Sequence, residues 1–294
     1  MTTVPSADPA DRLPVPPLFD RLVDDTSLLG PHPVALEVAA VVARHLAVRD
    51  GRHGSLLGQL VCPVSRLPQL VQELARSGPA RPVDVSLVVD TGLGAVPKAL
   101  STVFSRSSLL TPRTIETAAP VDVDAVWLER VAEFVPEDVV AVVEPRRPTG
   151  ADEAGTAAWL DAVRRVAAHG CTPKLRCGGS RPSEVPSADE VERFVRAVAE
   201  EKSGFIALGL RGVALGGDAG PRHGVLNLLV AVARAQAGGD VAEALTGSDG
   251  AALAHEALAL GPAQVAEVRA LVSRCGADSE PAAARELAGL GLLG

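Results

Sequence analysis

Segments typical of β-strands and of α-helices alternate along this chain with a nearly constant period. The clearest strand-like segments are 56–63, 83–90, 112–120, 139–145, 172–179 and 205–212. Their starts lie about 27 to 33 residues apart, which is the length of one strand followed by one helix. Several are apolar on successive residues, as parallel strands buried on both faces are. The pattern therefore predicts an α/β fold, a (β/α)8 TIM-like barrel.

The last two units of this barrel carry the weakest signal. A seventh strand is predicted at 241–245 and an eighth near Val268–Cys275, so the sequence leaves open an incomplete or distorted barrel on that side. A doubly wound open sheet is the alternative. Such a sheet ordinarily carries a glycine-rich phosphate loop after its first strand, and the turn at 62–66 lacks one.

The chain divides into an arm and one domain. Residues 1–32 are rich in proline and are predicted to form an N-terminal arm, with residues 1–18 disordered or packed on the surface. Residues 33–294 are predicted to form a single barrel domain. It begins with an apolar helix, which we expect to pack over another part of the fold, for instance one end of the barrel.

Composition limits the classes of function. Hydrophobic residues make up 47% of the 294 residues, which is ample for a packed core. Aromatic residues make up only 2% and the net charge is −8, so no nucleic-acid partner is expected. No apolar stretch is long enough to span a membrane, and the four cysteines lack metal-ligand spacing. We expect a cytoplasmic protein with no cofactor or metal; whether it forms a homo-oligomer stays open.

The chain has only three lysines, and one of them, Lys174, lies inside a strand. Lys174 and Arg176 are two residues apart, so both side chains point to one face of that strand. If this face is the barrel interior, the two cations meet Glu144 of the preceding strand at the mouth. A buried cation pair needs carboxylates or an anionic ligand. One interpretation is therefore an anion site, and the other is a purely structural ion-pair layer that also includes Glu116.

Further residues at the expected strand ends could take part in an anion site. The adjacent glycines allow a ligand to approach the backbone closely. Arginine near a helix N-terminus favours anions, and a histidine at a barrel mouth can move protons. The alternative is a capping role for the histidine and a buried, structural asparagine. Together with Arg176 and Glu116, the candidate binding residues are Gly178, Gly179, Arg211, Arg222, Asn227 and Asp90, and the candidate proton carrier is His223.

Three motifs carry a resemblance to a known family. KLRCGG at 174–179, RHGVLN at 222–227 and EPAAARELAGLGLL at 280–293 resemble runs in an uncharacterised family of bacterial proteins that look like (β/α)8 barrels. The resemblance implies the fold and the place of a site, but no particular activity. The chain departs from the family pattern at Ile206, near an expected lysine, and at Arg211, near an expected histidine.

Three hypotheses about function follow. The first is a barrel enzyme that binds a small anionic metabolite, phosphorylated or carboxylated. It would act as a lyase or isomerase, with Lys174 as Schiff-base former or electrophile and Glu144 or Glu116 as acid and base. The second is a catalytically degenerate barrel that serves as a binding or assembly module. The third is a metal-dependent enzyme in which Asp90, Glu116 and Glu144 hold a magnesium ion.

Overall fold

Eight parallel strands close into a barrel, in which each strand pairs with the strands before and after it in the chain. The computed structural model describes residues 13–30, 37–150, 152–178, 182–210, 223–277 and 280–293. The strands are β1 Val23–Asp25, β2 Leu57–Pro63, β3 Val83–Val88, β4 Leu110–Ala118, β5 Val140–Glu144, β6 Thr172–Arg176, β7 Phe205–Leu210 and β8 Val272–Ala277. The predicted (β/α)8 TIM-like barrel is confirmed.

Helices surround the strands. They are α1 Val38–Arg49, α2 Leu67–Ser77, α3 Val96–Phe104, α4 Ala125–Phe134, α5 Glu153–Ala168, α6 Ala188–Glu200, α7 Val225–Ala237, α8 Val241–Thr246, α9 Gly250–Ala259, α10 Pro262–Leu271 and α11 Glu280–Gly289. The apolar side of α1 packs against α2 and β2. α1 therefore belongs to the outer ring of helices and does not cover one end of the barrel. Within the described residues, no helix has both the length and the apolar character that crossing a membrane requires.

The six clear strand predictions are confirmed, each within two residues of its expected start, but the predicted seventh strand is wrong. Residues 241–245 lie in α8, where the Asp240 carboxylate caps the helix by accepting from the backbone N–H of Glu243. The buried residues Val241, Ala244 and Leu245 follow helical spacing. The strand predicted near Val268–Cys275 is present as β8, and the barrel closes without a gap.

The strand that completes the barrel comes from the segment predicted to be an arm. Val23–Asp25 forms β1, which pairs with β2 on one side and β8 on the other. Leu18, Phe19 and Leu22 are buried in the core that β1 shares with β6, β7 and the helices outside them. Residues 18–25 therefore belong to the barrel, although they lie in the segment predicted to be an arm. Of the residues predicted to be disordered or packed on the surface, 13–17 are half-buried or exposed and Leu18 is buried. Strand β1 has only three residues, which is too few to show a strand pattern in the sequence.

Alternation along the strands separates an apolar outer face from a polar inner face. On β6, Leu175 and the following Cys177 belong to the core under the helices, so Lys174 and Arg176 point into the barrel. On β4, Ile115 packs outward against the helices and Glu116 points inward. The barrel interior is therefore lined in part by charged side chains.

Removing the Phe19 side chain tests whether the predicted arm is part of the core. Phe19 is 1% exposed, so we expect Phe19→Ala to lower the free energy of unfolding by about 3–5 kcal/mol, as large-to-small core substitutions do. Phe104 is 45% exposed, and Phe104→Ala should cost about 1 kcal/mol or less. Urea unfolding measures both variants. Equal effects would show that residues before β1 do not stabilise the barrel.

Candidate functional site

A buried ion pair crosses the barrel interior. Lys174 Nζ on β6 donates to Glu116 Oε2 on β4, and each side chain is only 4% exposed. Because β5 lies between these two strands, the bond must pass through the interior. The Ser86 hydroxyl donates to the other oxygen, Glu116 Oε1. Burial alone raises the pKa of Glu116, but Lys174, Ser86 and Arg274 together hold this pKa below its ordinary value.

A second ion pair lies beside the first, where β5 and β6 end. Arg176 Nε and Nη2 donate to the two carboxylate oxygens of Glu144 at 2.5 and 2.7 Å. This two-bond geometry matches the planar guanidinium to the planar carboxylate. Hydrogen bonding to Glu144 raises the pKa of Arg176. Glu144 Oε2 also lies 3.9 Å from Lys174 Nζ, so this ammonium is held between two carboxylates.

The nitrogen of Lys174 is engaged by two carboxylates, since it donates to Glu116 and lies 3.9 Å from Glu144. A Schiff base requires the neutral amine as nucleophile. The geometry therefore favours Lys174 as a hydrogen-bond donor to a developing negative charge over Lys174 as a Schiff-base former.

A third charged pair lies between β1 and β8 and was missed in the sequence. Asp24 Oδ2 is 3.3 Å from Arg274 Nε, and Asp24 Oδ1 accepts from the backbone N–H of Gln59 at 2.7 Å. Burial outweighs these contacts and raises the pKa of Asp24 to about 7. Asp24 was overlooked because β1 lies in the segment assigned to the arm.

A cavity of about 300 Å³ lies at the carboxyl ends of β5 and β6, and Lys174 and the Arg176–Glu144 pair form part of its wall. Its charged lining consists of four cations and two carboxylates, Arg146, Arg147, Lys174, Arg176, Glu144 and Glu184. Two of these cations also pair with carboxylates outside the lining, Lys174 with Glu116 and Arg147 with Glu190, whereas Arg146 pairs with none of the described residues. The cavity can therefore accept a small anion.

Two arginines of this lining directly follow β5, and the sequence analysis did not select either. Arg147 donates to the backbone carbonyls of Ser183 and Val185 and so fastens the loop after β5 to the loop after β6. Arg146 is exposed and has no hydrogen bond or ion pair with any described residue. The sequence did contain a signal for these residues, namely two consecutive arginines directly after a predicted strand.

Gly178 lines the cavity, and the packing of the barrel also requires a residue without a side chain at this position. A Cβ at this position would lie 2.3 Å from the carbonyl oxygen of Gly209, which has a φ of +77°. The backbone of Cys177 bonds to Leu208 in the same contact, at 2.7 Å. The close approach of two strand ends therefore requires this glycine. Gly179 lies outside the described residues.

The second predicted group of residues has structural contacts. His223 is buried, and its Nε2 donates to the Pro186 carbonyl at 2.9 Å; its Nδ1 has no partner among the described residues. Asn227 is fully buried, and its amide donates to the carbonyls of Ala244 and Gly247 at 2.7 and 2.8 Å. Neither side chain lines the cavity described above. Arg211 and Arg222 lie outside the described residues.

The three carboxylates considered for a magnesium ion are engaged elsewhere. Asp90 accepts from the backbone N–H of Ser65 at 3.0 Å and from its hydroxyl, which links the loops after β2 and β3. Glu116 and Glu144 bond to Lys174 and Arg176 as described. Across the described parts of the chain, no group of three or more His, Cys, Asp or Glu side chains could hold a metal ion.

The chain matches no model of a known protein family and no curated protein. The family resemblance of its KLRCGG and RHGVLN runs therefore stays a prediction, and the site has to be argued from its own geometry.

The raised pKa of Asp24 predicts a specific pH dependence of stability. Its folded pKa of about 7 exceeds the ordinary 3.8, so its contribution is fully present below about pH 4 and is lost as the pH rises to 7. We expect the stability of the wild type relative to Asp24→Asn to fall by on the order of 4 kcal/mol over that range. Urea unfolding across the pH series measures the difference. Parallel stability curves for the two proteins would contradict the assignment.

Proposed function

We propose that this barrel binds a small anionic metabolite, with a carboxylate or phosphate group, in the cavity at the ends of β5 and β6. The observation that carries the proposal is an arginine in the cavity lining, Arg146, whose charge no described carboxylate pairs with. Arg146 has no partner among the described residues, and the guanidinium of Arg176 is half exposed. A ligand that enters from solvent can therefore reach both side chains, although Arg176 is already bonded to Glu144.

The proposed chemistry is that of a lyase or isomerase that removes a proton next to a carbonyl or carboxylate group. Glu144 would act as acid and base, since its carboxylate lines the cavity. The Lys174 ammonium would stabilise the negative charge that develops on the substrate oxygen. Glu116 and Ser86 would position Lys174, because their contacts with each other and with this lysine lie in the buried interior.

A catalytically degenerate binding module is the second candidate. It is favoured by the contacts of His223 and Asn227, which fasten loops and helices together and leave the cavity without these two polar groups. A magnesium-dependent enzyme has less support, because Glu116 and Glu144 are each paired with a cation.

Anion binding is tested by removing the unpaired arginine. We expect Arg146→Ala to weaken binding of succinate or inorganic phosphate about tenfold, the effect of one lost charge-assisted hydrogen bond. Arg106 is an exposed arginine in the loop before β4, at the opposite end of the barrel, so Arg106→Ala should leave the affinity unchanged. Isothermal titration calorimetry at low salt measures both. The binding site lies elsewhere if the two variants behave alike.

Proton exchange separates the enzyme from the binding module. We expect the protein to exchange the acidic C–H protons of a small 2-oxo acid, such as pyruvate, with D2O, followed by proton NMR. Lys174→Met should abolish this exchange, whereas Lys98→Met, at an exposed position on α3, should not. Borohydride added with the 2-oxo acid should leave Lys174 unmodified, because its nitrogen is bonded to Glu116 in the buried interior and is not free to attack a carbonyl.

Absence of exchange with a panel of 2-oxo acids that do bind would favour the binding module. Trapping of a 2-oxo acid on Lys174 by borohydride would instead restore the Schiff-base mechanism.

A further inference from the structure

The Arg176–Glu144 pair has the geometry of a bound ligand. Both oxygens of one carboxylate bond to two nitrogens of one guanidinium, at 2.5 and 2.7 Å, in the wall of the cavity. We infer that Glu144 occupies the ligand's place on Arg176, and that the ligand is a carboxylate that displaces it. This inference rests on the proposed function of the cavity and names the class of ligand.

A second cation is positioned to receive Glu144 when it leaves Arg176. Glu144 Oε2 is 3.9 Å from Lys174 Nζ, about 1 Å longer than a charge-assisted hydrogen bond. A small rotation of the Glu144 side chain therefore exchanges Arg176 for Lys174. Lys174 keeps its contact with Glu116, because an ammonium has three donors.

The exchange leaves every charged group in contact with an opposite charge, and the unpaired Arg146 of the same cavity supplies positive charge for the added ligand. Before binding, Arg176 pairs with Glu144 and Lys174 with Glu116. After binding, Arg176 pairs with the ligand, and Lys174 pairs with both Glu116 and Glu144. A neutral ligand cannot replace Glu144, since it would leave the guanidinium without a counter-charge. Glu144 therefore competes with the ligand for Arg176 and also selects for ligands that carry a negative charge.

A carboxylate fits this exchange better than a phosphate does. The ligand carboxylate is planar and carries one negative charge, as the Glu144 carboxylate does, so its two oxygens can take the places of the two Glu144 oxygens on Arg176. A phosphate at neutral pH brings about two negative charges close to Glu144, Glu116 and Glu184, which raises the repulsion within the cavity. We therefore assign the anionic end of the ligand to a carboxylate.

The exchange is tested with Glu144→Gln, which keeps the shape of the side chain and removes the competing charge. Calorimetric titration with succinate should show about tenfold tighter binding than the wild type. Glu184→Gln removes the same charge from the same cavity and is the matched control. It should improve binding of succinate by about threefold or less, because Glu184 does not hold the two nitrogens of Arg176 that Glu144 occupies.

A structure of the wild type with succinate bound provides the second measurement. Arg176 should bond to the succinate carboxylate, and Glu144 should bond to Lys174. The inference is overturned if Glu144→Gln binds succinate no more tightly than the wild type, if Glu184→Gln gains as much, or if the Arg176–Glu144 pair persists in the complex.

The failure of the inference and that of the proposed function are distinguishable. If the wild type binds succinate, with loss on Arg146→Ala but no gain on Glu144→Gln, only the exchange is wrong. If neither the wild type nor Glu144→Gln binds succinate or inorganic phosphate, both are wrong. If phosphate gains as much as succinate from Glu144→Gln, the assignment to a carboxylate is wrong.

Discussion

The buried ion pair between Lys174 and Glu116 is the interaction on which the polar interior of this barrel depends. An unpaired charge at either position would cost several kcal/mol, so each partner requires the other. Ser86 takes the remaining oxygen of Glu116, and Glu144 approaches Lys174 from the next strand. The same contacts that allow the lysine to be buried also fix its nitrogen as a hydrogen-bond donor. Structure and candidate chemistry therefore follow from one set of contacts.

The fold could largely be predicted from the sequence, because strands buried on both faces leave uninterrupted apolar runs at a fixed spacing. The two errors share a cause. Val23–Asp25 is too short to show any pattern, and it becomes a strand only because β2 and β8 supply its hydrogen bonds. Residues 241–245 are apolar enough for a strand or a helix, and the capping carboxylate of Asp240 favours the helix. Short elements depend on tertiary contacts that a local pattern does not contain.

The sequence correctly predicted which side chains share a strand face, but it did not predict all the contacts between strands. Lys174 and Arg176 share a face, as expected, and their partners Glu116 and Glu144 were among the candidates. Asp24 could not be found once its strand was missed. The sequence left the role of Asn227 undecided, because its contacts with the carbonyls of Ala244 and Gly247 form only when α7 and α8 pack together.

Charge pairing explains why a site can be polar and yet selective. In the cavity, both carboxylates are placed among four cations, so a ligand gains affinity only where it supplies negative charge that these carboxylates do not. Arg146 offers such a position, since none of the described residues pairs with it. Arg176 offers one only if Glu144 moves. Under the proposed exchange, an anion that bridges both arginines has to displace Glu144 from Arg176. A neutral analogue of the same shape cannot do so, because it brings no negative charge to replace that of Glu144.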